Sequence, residues 1–339
     1  MSRQGPPDIL QTERSWAPER LAARLPFLRR RALLTEATRA FFQARGYQEV
    51  ATPYAVLAPG EEVYVQAFAT EQLAPDGAAT PLWLHTSPEF AMKKLLAGGA
   101  GPIFQLARVW RNNEGSATHE AEFTMLEWYR LEADLTALIN ETLALLRAVL
   151  PPEVTCRGVT NRLDRVEHLS VAEAFHRHLG IDVLASIGDA AGLAADARVT
   201  LRADEPWDDL FFRLMLGAVE PHLGKAGPTI LTDWPTPLAA LARRNPNDPR
   251  VAERFELYLC GMELANGFVE LTDATEQRAR FEADRARRHQ LNARPDWPLD
   301  DDFLAAVAHL PPCSGIAMGF DRLAMIAANA PRITDVLWL

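Results

Sequence analysis

Residues 111–129 read RNNEGSATHEAEFTMLEWY, a polar loop running into a stretch that alternates along its length. In a strand, side chains two apart share a face. Counting from Phe123 places Phe123, Met125, Glu127 and Tyr129 on one side, and Thr124, Leu126, Trp128 and Arg130 on the other. An apolar stripe alone would be core. Glu127 breaks that reading, because an isolated buried carboxylate is costly unless it meets a cation or strong donors. Upstream, Arg111 closes a preceding strand, IFQLARVWR, and His119 lies in the connecting loop. Together these offer a guanidinium fork for phosphate, a second polar contact, a ring for stacking and a carboxylate for an amine. An anionic nucleotide beside a cationic substrate is the ligand pair such residues imply.

Working outward, FELYLCGMELANGFVEL (255–271) reads as a hairpin turning at Cys260–Gly261. Tyr258 then lies opposite Glu263, and Glu256, Tyr258 and Glu263 share a face. Two converging carboxylates suit Mg²⁺, which takes one or two of them and completes its shell with phosphate oxygens and water; a solvated outer face is the plainer alternative for either one. Asn266–Gly267 reads as a bulge that could re-aim Glu270 toward the same cavity. In SGIAMGFDRL (314–323), Gly315 and Gly319 flank a short strand and Arg322 falls in the first turn of a helix. The glycine-rich AGGAG (97–101) lacks a P-loop ending and reads as a turn. His176 and His178 have no third metal ligand at helpful spacing, and the arginines of 278–294 read as a solvated face.

The remaining punctuation gives a helix over 27–46 that stops at Gly46, a short strand ending at Pro53, and a helix opened by Thr86 or Ser87, Pro88 and Glu89. Residues 1–26 read as an irregular arm and 165–224 as Ala-rich helices. Strands with helices between them, many antiparallel, predict an α+β fold with a mixed sheet. The 339 residues carry 35 Lys and Arg against 45 Asp and Glu, a net charge of −10 that disfavours a broad nucleic-acid surface. No stretch approaches the roughly 18 apolar residues of a membrane span. Three widely spaced cysteines, Cys156, Cys260 and Cys313, fit free thiols in a reducing cytoplasm.

Taken in order, these segments resemble a class II aminoacyl-tRNA synthetase catalytic domain, closest to the lysyl branch. GYQEVATP (46–53) resembles its motif 1, whose proline sits at the dimer interface in the family; 111–129 resembles motif 2 and GIAMGFDRL motif 3. TSPEF (86–90) and ELANGFVELTDA (263–274) match the lysine-pocket segments. The resemblance covers about 27–337 and implies one catalytic domain over 27–339 with a helical insertion near 150–225. Some 26 residues before the first helix leave no room for an anticodon-binding domain, since a domain generally needs at least about 50. That points to the truncated paralogues that attach (R)-β-lysine to a lysine side chain of elongation factor P, which also resemble this sequence in having Ala at 317 where lysyl-tRNA synthetases have Gly.

The resemblance implies roles position by position. ATP and Mg²⁺ are the expected cofactors, and elongation factor P, lysine or β-lysine and a second copy of the chain the expected partners; tRNA and membrane are not. Arg111 would hold the α-phosphate and substrate carboxylate, with Arg322 the second catalytic arginine. Phe123 would stack on adenine, with Arg322 on its other face or at the γ-phosphate. Asn112, Asn113, His119 and Glu120 would line the nucleotide, Leu264 would contact it through its backbone, and Gly319 would let it approach. Glu256 and Glu263 would ligate Mg²⁺. Ser87, Pro88, Glu89, Glu127, Tyr129, Asn266, Glu270 and Ala317 would surround the substrate. Asn113 stands where the family usually has Glu, and Thr118 and Glu120 also depart from its pattern. A related ligase acting on tRNA or a small molecule, and a non-catalytic metabolite-binding paralogue, are the alternatives.

Overall fold

In the computed structural model, which describes residues 16–291 and 297–338, the alternating stretch is the third strand of an eight-stranded sheet. The chain runs α1 (Pro18–Gln43), β1 (Gln48–Glu49), β2 (Ala55–Val56), β3 (Phe68–Leu73), β4 (Ala79–Leu84), α2 (Glu89–Ala97), β5 (Ile103–Trp110), β6 (Glu122–Leu131) and α3 (Leu135–Val149). It continues through β7 (Glu153–Cys156), β8 (Val159–Arg162), β9 (Glu167–Ser170), α4 (Val171–Leu179), α5 (Ala190–Asp196), α6 (Trp207–Leu214) and β10 (Thr229–Pro235). The last elements are β11 (Val251–Leu259), β12 (Met262–Val269), α7 (Ala274–Leu291), α8 (Asp301–Val307), β13 (Cys313–Gly319) and α9 (Phe320–Ala328).

The main sheet has the order β1-β5-β6-β13-β12-β11-β10-β9. Its two outer pairs, β1/β5 and β9/β10, are parallel, and the inner pairs are antiparallel. This is the mixed, mostly antiparallel sheet that the sequence predicts. Period-2 alternation divides β6 as expected. Leu126 and Trp128 are buried in the main core with Phe42 of α1 and the apolar faces of α3 and α9. The rings of Phe42 and Phe104 stack with centroids 4.7 Å apart, and Trp128 lies 5.1 Å from Phe42. The opposite face carries Phe123, Met125, Glu127 and Tyr129 and fronts a cavity.

Four expectations are corrected. Residues 18–26 are helical: Pro18 occupies the first turn, where its missing N–H costs nothing, and Glu19 faces the positive dipole end. The rest of the expected arm, 1–15, lies outside the described residues. The section near 150–225 opens with β7, β8 and β9 and becomes helical only from Val171. The bulge of the β11–β12 hairpin falls at Leu264, because Tyr258 pairs with Glu263 while Leu257 pairs with Ala265, and Asn266–Gly267 stay in register. Gly267 is small for a packing reason: a Cβ there would come within 2.8 Å of the Phe255 ring and 2.9 Å of Ile316. Finally, the arginines of α7 are not simply solvated. Arg280 donates to the carbonyls of Ala239, Ala240 and Ala242, Arg287 meets Asp209, and buried Arg288 pairs with Glu61 under Trp297.

One buried node joins three of these elements. Arg31 of α1 ion-pairs with Asp321 in the first turn of α9 and donates to Thr124 Oγ1 of β6 at 2.8 Å. Asp321 also accepts from the Thr124 backbone N–H at 2.8 Å. No described helix is long and apolar enough to cross a membrane. Replacing Arg31 with Met strands a buried carboxylate and is expected to lower the unfolding free energy by about 3–5 kcal/mol. Adding Asp321→Asn should recover part of that loss in urea titrations; additive losses would show that the two residues do not act as a pair.

Candidate active site

The polar face of β6 forms one wall of a cavity of about 690 Å³. One end of it is cationic. Arg111 follows β5, its backbone N–H donates to Ala121 O at 2.9 Å, and its guanidinium lies 5.5 Å over the Phe123 ring while donating to Thr86 O at 3.4 Å. Facing it, Arg322 stands in the first turn of α9 and donates to Glu263 O at 2.6 Å, to Thr118 O at 3.3 Å and to His119 Nε2. His119 is pushed down to about 4 by burial and by the charges of Arg322 and Arg111. It is therefore neutral at pH 7, with Nε2 accepting from Arg322 and the Nδ1 proton left for Ser116 or Thr118. The loop carrying these residues is also tied by Ile333 N–H to Ala117 O at 2.9 Å.

The other end is anionic and deeper. Glu127, buried, accepts from Ser87 Oγ at 2.7 Å and from Tyr129 OH at 2.6 Å. Lys93, one turn beyond Glu89 on α2, is clamped between Glu89 at 2.6 Å and Glu270. Burial pushes both Glu127 and Glu270 up to about 8, with Glu89 adding to each shift and Lys93 opposing it. Burial also works against the Lys93 ammonium, yet Glu270 and Glu89 outweigh it and keep Lys93 charged. Three carboxylates thus share one cation. The floor is β13: Ala317 pairs with Glu127 on one side and Asn266 on the other, and Gly315 pairs with Tyr129 and Phe268. Gly315 has to lack a side chain, because a Cβ would fall 2.3 Å from the Tyr129 ring and 2.6 Å from Glu270 Oε1. Gly319, by contrast, would meet only the Arg322 side chain at ordinary contact distance, leaving room for a ligand to approach the backbone.

Between the ends and to one side lies the carboxylate platform. Glu263 lines the cavity, while Glu256 beneath it accepts from Arg254 and from Tyr258 OH, each at 2.6 Å. Burial and the nearby Glu263 push Glu256 up to about 8. Glu220, a neighbour the sequence does not reveal, is raised by burial and by Glu263. Mutually repelling carboxylates with one accessible member fit a divalent cation that brings its own phosphate and water ligands.

The structure gathers most of the expected residues here: Ser87, Glu89, Arg111, His119, Glu120, Phe123, Glu127, Tyr129, Glu263, Leu264, Asn266, Ala317, Gly319 and Arg322 all line the cavity. Glu256 and Glu270 stand just behind its wall. Pro88 is the N-cap of α2 rather than a lining residue. Asn112 and Asn113 turn away: the Asn112 N–H donates to Gln66 O at 2.6 Å, and Asn113, at φ 64°, donates from its side chain to Gln66 Oε1 at 2.8 Å. Lys93 is not among the residues singled out from the sequence, although its i+4 spacing from Glu89 is a readable signal.

A sheet of this order, with Arg111 and the helix that opens on Arg322 lining one end of a nucleotide-sized cleft and buried carboxylates the other, defines a class of enzyme. A family model described as tRNA synthetases class II (D, K and N) matches residues 13–339, and the chain belongs to that family. It is 43% identical over 329 residues to the elongation factor P–(R)-β-lysine ligase of Pectobacterium carotovorum subsp. carotovorum (strain PC1), covering 95% of this chain and 96% of that protein. The ligases of the same name from Klebsiella pneumoniae (strain 342) and Sodalis glossinidius (strain morsitans) are 44% and 42% identical, with the same coverage.

Carboxyls with raised folded-state pKa values hold protons that the unfolded chain gives up. The stability Glu127 and Glu270 contribute is therefore present below the ordinary glutamate range and is lost as pH rises through about 8. A ligand with two ammonium groups offsets that loss. Its shift in melting temperature is expected to grow between about pH 6 and pH 8, with proton release on binding seen as buffer-dependent heats in calorimetry. Buffer-independent heats near neutral pH would show that both carboxylates are already ionised.

Proposed function

We propose that this chain activates (R)-β-lysine with ATP and transfers it to a lysine side chain of elongation factor P. The observation that carries this reading is the charge pattern of the cavity. Among the described residues Lys93 ion-pairs with Glu89 and Glu270 and lies near enough to act on Glu127, one cation for three carboxyls, which leaves two for a substrate with two ammonium groups. Arg111 waits at the opposite end for that substrate's carboxylate. A diamino monocarboxylate fits both ends at once, and the names of the relatives agree with it.

In the first half of the reaction the substrate carboxylate attacks the α-phosphorus of ATP and pyrophosphate leaves. Arg111 would hold the attacking carboxylate against the phosphate and neutralise charge that builds during attack. Phe123 would take the adenine on its ring, with Arg322 opposite it or at the γ-phosphate, and neutral His119 would hold Arg322 in place. Glu120 and the backbone at Leu264 would complete the nucleotide wall, while Asn112 and Asn113 would act by fixing their loop to Gln66. Glu256 and Glu263 would hold Mg²⁺, which supplies charge neutralisation for the phosphates. Ser87, Tyr129, Asn266 and Ala317 would shape the end that receives the amines. In the second half, the acceptor amine attacks the acyl carbon, an amide forms and AMP leaves.

We also take the working molecule to be a cytoplasmic homodimer; exposed Tyr54 and Leu57 directly follow the motif 1 segment that would form its interface. ATP–pyrophosphate exchange is expected to be strongest with (R)-β-lysine when no amino acid, α-lysine and each β-lysine enantiomer are compared. Arg111→Ala should cut exchange by at least about 10²-fold while circular dichroism and dimer mass stay unchanged. Near-normal exchange in that variant, or aminoacylation of a tRNA pool in preference to elongation factor P, would overturn the assignment.

A further inference from the structure

The transfer half-reaction needs a base that none of the residues above supplies. A lysine side chain has a pKa of about 10.4 and arrives as an ammonium, which has no lone pair to attack a carbonyl. The segment between β2 and β3 brings two consecutive glutamates to the cavity wall and sends them opposite ways. Glu61 is buried behind the wall and accepts from Arg288 at 2.8 Å. Glu62 turns into the cavity, where it meets Thr86 Oγ1 at 3.5 Å. Among the described residues it forms no ion pair. Gly60, at φ 155°, makes the turn that leads into the two glutamates, and its Cα side faces Glu62 Oε2 and Thr86 Oγ1.

The neighbours of Glu62 fix its position in the reaction. It lines the same cavity as Arg111, Glu89 and Asp284 of α7, and the charges of Arg111 and Glu89 both reach it. In the complex proposed above, Arg111 marks the junction of acyl group and phosphate, and Glu89 marks the amine end. The acyl carbon of that complex would lie between Arg111 and Glu89, in the cavity whose wall Glu62 helps to form. We propose that Glu62 is the general base of the transfer step, taking one proton from the acceptor lysine's ammonium. The freed amine nitrogen then forms its bond to the acyl carbon, and the C–O bond to the phosphate breaks with its electron pair leaving on AMP. The nitrogen's second proton passes to water, leaving a neutral amide.

The surroundings suit this role. Glu62 is exposed to the cavity, and the protein walls that crowd it hold its carboxyl above the usual carboxylate range, with Arg111 opposing and Glu89 reinforcing the shift. The groups that face it are Arg111 after β5, Glu89 and Thr86 at the start of α2, and Asp284 from α7. Farther out, Tyr64, Asp208 and Arg287 line the mouth, and Asp284 is itself pushed up to about 7 by burial. A cationic side chain entering here passes carboxylates before it reaches the acyl carbon.

This inference rests on the function proposed above, and its test separates the two. Glu62→Gln is expected to keep ATP–pyrophosphate exchange with (R)-β-lysine within about threefold of the parent, yet to lose amide transfer to elongation factor P by about 10²-fold or more. Hydroxylamine is neutral near physiological pH, so its attack on the enzyme-held adenylate needs no prior deprotonation, and hydroxamate formation should survive in the variant. Residual transfer by the variant should rise about tenfold per pH unit on the alkaline side, as more of the acceptor amine is free. Equal losses with lysine and hydroxylamine would make Glu62 a positioning residue and overturn the proposal. Unchanged lysine transfer, or loss of exchange, would overturn it too. A parent enzyme that exchanges with none of the lysines would overturn the underlying function instead.

Discussion

The ion pair between Arg31 and Asp321, completed by Thr124, is the constraint on which the site depends. Asp321 is adjacent in sequence to Arg322, and Thr124 is adjacent to Phe123. Fixing those two buried groups to one guanidinium fixes the separation of the arginine and the ring on the cavity side. A hydrophobic contact would fill the same space but would leave α9 free to slide along β6. The charged pair, with hydrogen bonds to both carboxylate oxygens, has one geometry.

Burial then sets the chemistry of each end of the cavity. Low polarity makes unpaired charge expensive and paired charge strong. At the cationic end, burial and the charges of Arg322 and Arg111 make His119 give up its proton. At the closed end the carboxyls hold theirs until a cation comes. Lys93 gives this end its cation, and its clamp on Glu89 and Glu270 holds both side chains in place.

Much of this arrangement could be read from residue order alone. The face of β6 follows from period 2, the pairing of Tyr258 with Glu263 follows from a two-residue turn, and Arg322 follows from a glycine-bounded strand entering a helix. What could not be read depends on distant partners. Nothing in ATEQRARFEADRARRHQL says that Arg280 caps three carbonyls or that Arg288 is buried against Glu61. Glu62 and Glu220 stand in segments with no periodicity, so only tertiary structure aims them. The bulge was assigned to Asn266–Gly267 because glycine in a strand signals either a bulge or a close neighbour, and here the close neighbour, Phe255, is the reason. Pro18 reads equally as arm or helix start, because proline both starts helices and breaks them, and here it starts α1.

β13 presents residues 315, 317 and 319 to the cavity in succession. The first has no space for even a methyl group, and the last, at the N-terminus of α9, leaves its backbone open to the cavity. Only Ala317, between Glu127 and Asn266, can change in size without displacing a carboxylate or covering that backbone. Along this strand, the substrate range of the enzyme can therefore drift through a single side chain, in steps as small as one methyl group.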